Sequence, residues 1–309
     1  MRLLPALTAL VFSLSVLPAT AAATPVARLP VVPPLRGAVG DHARAIAAHG
    51  LALGNDDHVF AKVGDSITES GSFLQDLACQ PADWGGWRGL RSARHWFGEH
   101  TLPRSYASVW CGRANSFSRA SVTAVAGWDA SMALGRLAGP PQGCDGALAH
   151  PLDCEYHLLH PGAALVMYGT NDLERFSPRR FGRDLGRIVA RSSAAGVIPV
   201  LSTIPPRLDS RRYGRRVAVF NRAIAAVARE KRVPLWNYWR SLQGSTMVNH
   251  GISDDGIHPN IYGDCRPPLG CRSLDFTAAG LRFGYDQRNL GALRVLDRLR
   301  QRIFRAGSR

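Results

Sequence analysis

A short apolar run, Val59–Val63, breaks at once into Gly64-Asp65-Ser66. The run has the length and the branched residues of a buried strand. Glycine then permits a tight turn and the close approach of a neighbour. Ser66 is left at the rim of a sheet, at the start of a helix, where backbone N–H groups face developing negative charge. A strand, a glycine turn and a helix in that order form the junction at which an open α/β sheet carries its chemistry. In this reading Asp65 supports the turn rather than the chemistry.

The rest of the chain fits that start. Strands read at Ala163–Tyr168, Val197–Thr203 and Val233–Trp236. Ser121–Leu137 reads as a short strand, Gly127 and a helix. Helical spacing covers Asp41–Leu53 with Asp41 as N-cap, Pro178–Ala195, Val217–Arg229 and a closing amphipathic helix over Asp286–Phe304. Gly143–Cys154 reads as a loop. Strands alternating with helices imply a parallel sheet covered on both faces. With no internal repeat and no linker, residues 59–309 read as one domain, preceded over 24–58 by an extended lead-in and an N-terminal helix.

A long insert runs from about residue 74 to 119 and holds Trp84, Trp87, Trp96 and Trp110, four of the seven tryptophans. Loops of this length carry function or structure of their own. Two readings stay open: a cleft wall that stacks on a sugar ring or an acyl chain, and a satellite core clamped by a disulfide.

The N-terminus bears on compartment. Met1-Arg2, an apolar run over Leu3–Leu17 and small residues up to Ala23 have the pattern of a secretory signal peptide over residues 1–23. The run is short for a membrane-spanning helix. Six cysteines agree with export to an oxidising compartment, secreted or periplasmic. Proximity pairs Cys144 with Cys154 and Cys265 with Cys271, leaving Cys79 with Cys111. No zinc-ligand spacing is present. The formal charge of +15 could serve nucleic acid, anionic lipid or acidic polymer. The arginines are scattered and no nucleic-acid motif accompanies them, so the reading is a basic surface with at most weak association with an anionic cell surface. The chain is expected to be a monomer.

A serine hydroxyl needs a base to become a nucleophile. Histidine titrates in the right range, and a carboxylate on its second nitrogen fixes its tautomer. Ser253–Asn260, SDDGIHPN, offers His258 with Asp255 three residues before it and Asp254 as a rival. Ala163–Leu173, AALVMYGTNDL, places Asn171 just past another strand. A serine after the first strand, an asparagine after a middle strand and a late Asp-x-x-His resemble the SGNH (GDSL-type) hydrolases from about Val59 to the C-terminus. The resemblance implies a flavodoxin-like three-layer α/β/α fold, and a serine esterase with Ser66 as nucleophile, His258 as base and Asp255, by the Asp-x-x-His pattern, as its partner. It also implies an oxyanion hole from the N–H of Ser66, the N–H of a glycine and the Asn171 amide. Gly127 is that glycine here, although the family commonly has an asparagine shortly before it and this chain has Val125-Ala126.

No metal or organic cofactor is implied. The family acts on lipids, acetylated sugars and other small esters, so a lipid or short acyl ester and an O-acetylated carbohydrate are both expected substrates. An inactive module that binds cell-wall glycan and an acyltransferase are the alternatives. The four intact polar residues argue against the first, because a binder has no need of them.

Overall fold

Strand β1, Asp56–Gly64, is buried from Val59 onward and pairs in parallel with β2, Pro161–Met167, in the register Phe60 to Ala163 through Gly64 to Met167. β3, Ile198–Ser202, and β4, Leu235–Trp236, extend the sheet in the order β1-β2-β3-β4, all parallel. The computed structural model describes residues 24–102, 111–112, 114–139, 142–144, 146–148, 150–263 and 273–305. The expected signal peptide, Trp110 and the expected Cys265–Cys271 pair lie outside the described residues.

The stretch expected as strand, Gly127 and helix is less regular. Gly64 forms a parallel bridge with Ala124, its N–H bonds the Thr123 carbonyl at 2.9 Å, and only a 3-10 turn, Met132–Leu134, follows. A single bridge is too short to show a period of two. It nevertheless sits on the free side of β1. The chain leaves β1 to one side, at Thr123–Val125, and returns on the other side to form β2. Such a switch point opens a crevice at the carboxyl ends of the strands.

Helices fill both outer layers of this α/β/α fold. α1 (Gly37–Ala52) starts four residues before Asp41, which lies inside it and pairs with Arg44 at 2.5 Å instead of capping. α2 (Ser66–Glu69) is one turn capped by Asp65, whose carboxylate accepts the Ile67 N–H at 3.0 Å. α3 (Arg91–Gly98) lies in the insert, and α4 (Pro151–Leu159) takes residues read as the end of a loop. α5 (Asp172–Arg175) and α6 (Pro178–Ala194) follow β2. α7 (Arg211–Lys231) begins six residues before the apolar pattern at Val217, because its first turns are arginines. α8 (Tyr238–Ser241) follows β4, and α9 (Gly284–Leu299) runs into a π turn, Arg300–Phe304. α1 and α3 pack with α9 and its extension, while α4, α6 and α7 pack together across the sheet.

The insert is bonded into this frame. Trp84 stands edge-on to Phe276, Arg294 of α9 lies over Trp87 at 4.8 Å, and the Trp96 ring nitrogen donates to the Asp57 carbonyl. These three rings thus pack into and against the main core, so the insert does not form a satellite core of its own around them. Cys79 is bonded to Cys111, and Cys144 to Cys154.

Asp286, on α9, is fully buried. One carboxylate oxygen accepts the Asp275 N–H at 2.8 Å, and the other has no partner among the described residues. Burial, with nearby Asp275, pushes this carboxyl up to about 8, against the pull of the Asp275 N–H. Between the ordinary carboxylate range and that value the fold holds a proton that the unfolded chain has released. Its contribution to stability therefore falls as pH rises from about 4 to 8. Asp286→Asn keeps the acceptor and removes the ionisation. Relative to wild type its stability is expected to rise steadily between pH 5 and pH 8, by on the order of 1 kcal/mol per pH unit. Thermal scans of both proteins at the two pH values check this, and a Tm difference that does not grow with pH contradicts it.

Candidate active site

The first group of the site comes from the β1–α2 junction. Gly64 must be glycine: a Cβ there would lie 2.3 Å from the Thr68 hydroxyl and 2.6 Å from the Met167 carbonyl. The close approach of Thr68 and Met167 leaves no room for a side chain at the junction that presents Ser66. Arg288 of α9, itself buried, holds the turn from below. It donates to the Ile67 carbonyl and, at 2.9 Å, to the Thr68 hydroxyl, and it stacks 3.6 Å from the Phe73 ring centre. Burial pushes the Asp65 carboxyl up to about 6, against the Ile67 N–H and the charges of Arg288 and His258.

The second group comes from the loop before α9. Ser66 Oγ lies 2.8 Å from His258 Nε2, and His258 Nδ1 lies 2.6 Å from Asp255 Oδ2. The structure thus brings three residues, 192 positions apart at the extremes, into one chain of hydrogen bonds. Asp255 Oδ1 also accepts the N–H groups of Ile257 and His258 at 2.8 and 2.9 Å and the Ser253 hydroxyl at 2.7 Å. Burial works against this carboxylate, but the His258 bond and these donors outweigh it and hold the carboxyl well below the usual carboxylate range. Asp255 therefore stays ionised well into the acid range. Asp254, the rival, forms no hydrogen bond to His258.

Asn171 and Gly127 meet at the switch point. The Asn171 amide nitrogen donates to the Trp128 carbonyl at 2.8 Å, and since an amide carries two N–H bonds, one is left over. Asp172 accepts the Ala130 N–H at 3.0 Å, and Arg175 donates to the Gly127 carbonyl and to Asp129 at 3.1 and 3.0 Å. From the α2 side, Glu69 accepts the Ala126 N–H at 2.7 Å. The loop around Gly127 is therefore held by groups that follow both β1 and β2. The N–H groups of Ser66 and Gly127 donate to nothing among the described residues. Burial, reinforced by Asp129 and Asp65 and opposed by the Ala130 N–H, pushes the Asp172 carboxyl up to about 7.

A cavity of about 340 Å³ borders this loop. Thr68 and Glu69 of α2, Lys62, Val125, Trp128 and Leu137 are among the residues that line it. The described residues contain no group of three or more His, Cys, Asp or Glu side chains able to hold a metal ion. Glu69, Trp128, Arg175 and Arg288 went unread in the sequence. Only Arg288 left a signal there, as a cation on the apolar side of the closing helix.

The parallel sheet with its switch point carries a hydrogen-bonded Ser-His-Asp at its carboxyl edge. The chain belongs to the GDSL-like Lipase/Acylhydrolase family, whose model matches residues 63–264. It is thereby an enzyme that hydrolyses esters. Among solved structures it is similar to a GDSL-like lipase from Bacteroides thetaiotaomicron, at 15% identity over 87% of this chain and 100% of that one, with a TM-score of 0.45. It is also similar to a lipase/acylhydrolase from Enterococcus faecalis, at 16% over 79% and 96%, TM-score 0.46. A carbohydrate esterase of family 3 from Talaromyces cellulolyticus matches at 17% over 77% and 97%, TM-score 0.47. No curated protein matches the sequence.

Proposed function

We propose that the protein is a serine esterase that cleaves small carboxylic esters, short acyl esters or O-acetyl groups on carbohydrate, through a covalent acyl-enzyme. The observation that carries this reading is the bonded line from Ser66 through His258 to Asp255, beside two unengaged backbone N–H groups. Ser66 Oγ attacks the ester carbonyl and its proton passes to His258 Nε2. Asp255, already ionised, keeps the Nδ1 proton in place and stabilises the imidazolium. The oxyanion takes hydrogen bonds from the N–H of Ser66, the N–H of Gly127 and the free amide hydrogen of Asn171, each worth a few kcal/mol in such a site. His258 returns the proton to the alcohol as the C–O bond breaks. Water then attacks the acyl-enzyme, giving its proton to His258, and the acid leaves as Ser66 recovers its proton.

The two disulfides, with the N-terminal pattern at residues 1–23, support export from the cytoplasm. Among the described residues no helix is long and apolar enough to cross a membrane. The test is turnover of a p-nitrophenyl ester series from acetate upward, together with acetate release from acetylated xylan, on oxidised protein. Acetate and butyrate esters are expected to turn over fastest. Folded protein that hydrolyses none of these and resists a fluorophosphonate probe contradicts the reading.

A further inference from the structure

Arg207 sits in the loop after β3, and its side chain is only 1% exposed. Its guanidinium joins segments that the sequence keeps apart. Nη1 donates to the Thr170 carbonyl at 2.7 Å, in the turn directly before Asn171. Nη2 donates to Glu174 of α5 at 2.7 Å. Nε and Nη2 hold the two carboxylate oxygens of Asp209, each at 2.7 Å. The turn fixed in this way reaches the other half of the site. The N–H groups of Leu208 and Asp209 donate to the Gly256 carbonyl at 2.7 and 3.3 Å. Gly256 lies between Asp255 and His258 with φ at +74°, and a Cβ there would stand 2.4 Å from the Asp209 nitrogen. The two loops therefore meet backbone to backbone, with no slack between them.

A forked, planar cation suits this place. It satisfies a carbonyl and two carboxylates in fixed directions, which a lysine ammonium, a point charge on a flexible stem, does not reproduce. We infer that Arg207 is a positioning residue: it holds the Asn171 turn and the Asp255–His258 loop in register, so that the amide facing the oxyanion and the imidazole moving the proton address one carbonyl. The inference rests on the hydrolytic reading above. Misplacement of reacting groups by about 1 Å can cost about 100-fold in rate.

The test compares Arg207→Lys with wild type in two assays, steady-state turnover of p-nitrophenyl acetate and the rate of Ser66 phosphonylation by a fluorophosphonate probe. A folded variant is expected to lose about 10- to 100-fold in kcat. Its KM should move by less than about threefold, and phosphonylation should slow in parallel. Combined with Asn171→Ala, the loss should be smaller than the product of the two single losses, because both act through one turn. A folded Arg207→Lys with wild-type kcat and labelling, or losses that multiply independently, overturns the inference. If Arg207→Lys does not fold, Asp209→Asn and Glu174→Gln each remove one arm at a partly exposed acceptor. Both are expected to lower kcat several-fold with little change in Tm, and wild-type kcat in both is overturning. Wild type that labels but hydrolyses no ester defeats the hydrolytic reading and leaves the labelling rates to decide on Arg207. Wild type that neither labels nor turns over overturns both.

Discussion

Ser66→Ala is expected to lower kcat on p-nitrophenyl acetate by roughly six orders of magnitude, the loss seen when the nucleophile of such a unit is removed. The size follows from the geometry. His258 Nε2 has its partner at 2.8 Å in the Ser66 hydroxyl. Without that oxygen no acyl-enzyme forms, and what remains is binding and the oxyanion donors. The fold should be untouched. Ser66 is only partly buried, its backbone bonds do not involve the hydroxyl, and α2 keeps its Asp65 cap and its anchor to Arg288. The variant should melt within about 1 °C of wild type, in line with the small effect of substitutions away from core and caps. Kinetics, a melting curve and a fluorophosphonate probe read on both proteins decide the matter. Residual activity above about one part in a thousand, with the contaminating background measured, assigns the chemistry to another residue.

The parts of this site legible in the sequence share one property: each is written locally. A buried strand broken by Gly64-Asp65-Ser66, a strand ending before Asn171 and a carboxylate three residues before a histidine can be read within a dozen residues. The central strands were legible for the same reason, being fully buried apolar runs. What escaped depends on distance or on conflicting local cues. Thr123–Val125 contributes a single bridge, below any period. α4 begins at Pro151, a favourable first helical position, but Gly143, Cys144 and Gly146 before it, with Cys154 inside it, read as a loop. Arg207 is one of many arginines, and nothing beside it in the sequence hints that it is buried. Long-range polar contacts of this kind are set by the fold and do not appear as a pattern along the chain. The insert shows the opposite case: its tryptophans are conspicuous in the sequence, yet Trp84, Trp87 and Trp96 serve packing.

Asp255→Asn is the second large effect, a fall in kcat of roughly 10⁴-fold. Asp255 does two jobs with separate oxygens. Oδ1 organises the loop by accepting from Ile257, His258 and Ser253, and Oδ2 accepts from His258 Nδ1 at 2.6 Å. Asparagine can keep the first oxygen in place, so the loop and its contact with Asp209 should survive. The second position then becomes an amide nitrogen, which donates. Facing a donor, His258 moves its proton to Nε2, and that nitrogen can no longer accept from Ser66. KM and Tm should stay near wild type while kcat collapses. Asp255→Ala should lose the same activity and also lower Tm, since it frees the loop donors as well. The pH profile carries an independent check. Because its hydrogen bonds hold the Asp255 carboxyl well below the usual range, it remains ionised through the acid limb of kcat/KM. That limb should then carry no protonation step of Asp255. An Asp255→Asn variant with kcat within tenfold of wild type would falsify the role given to Asp255 and move the search to Asp254, the neighbouring carboxylate.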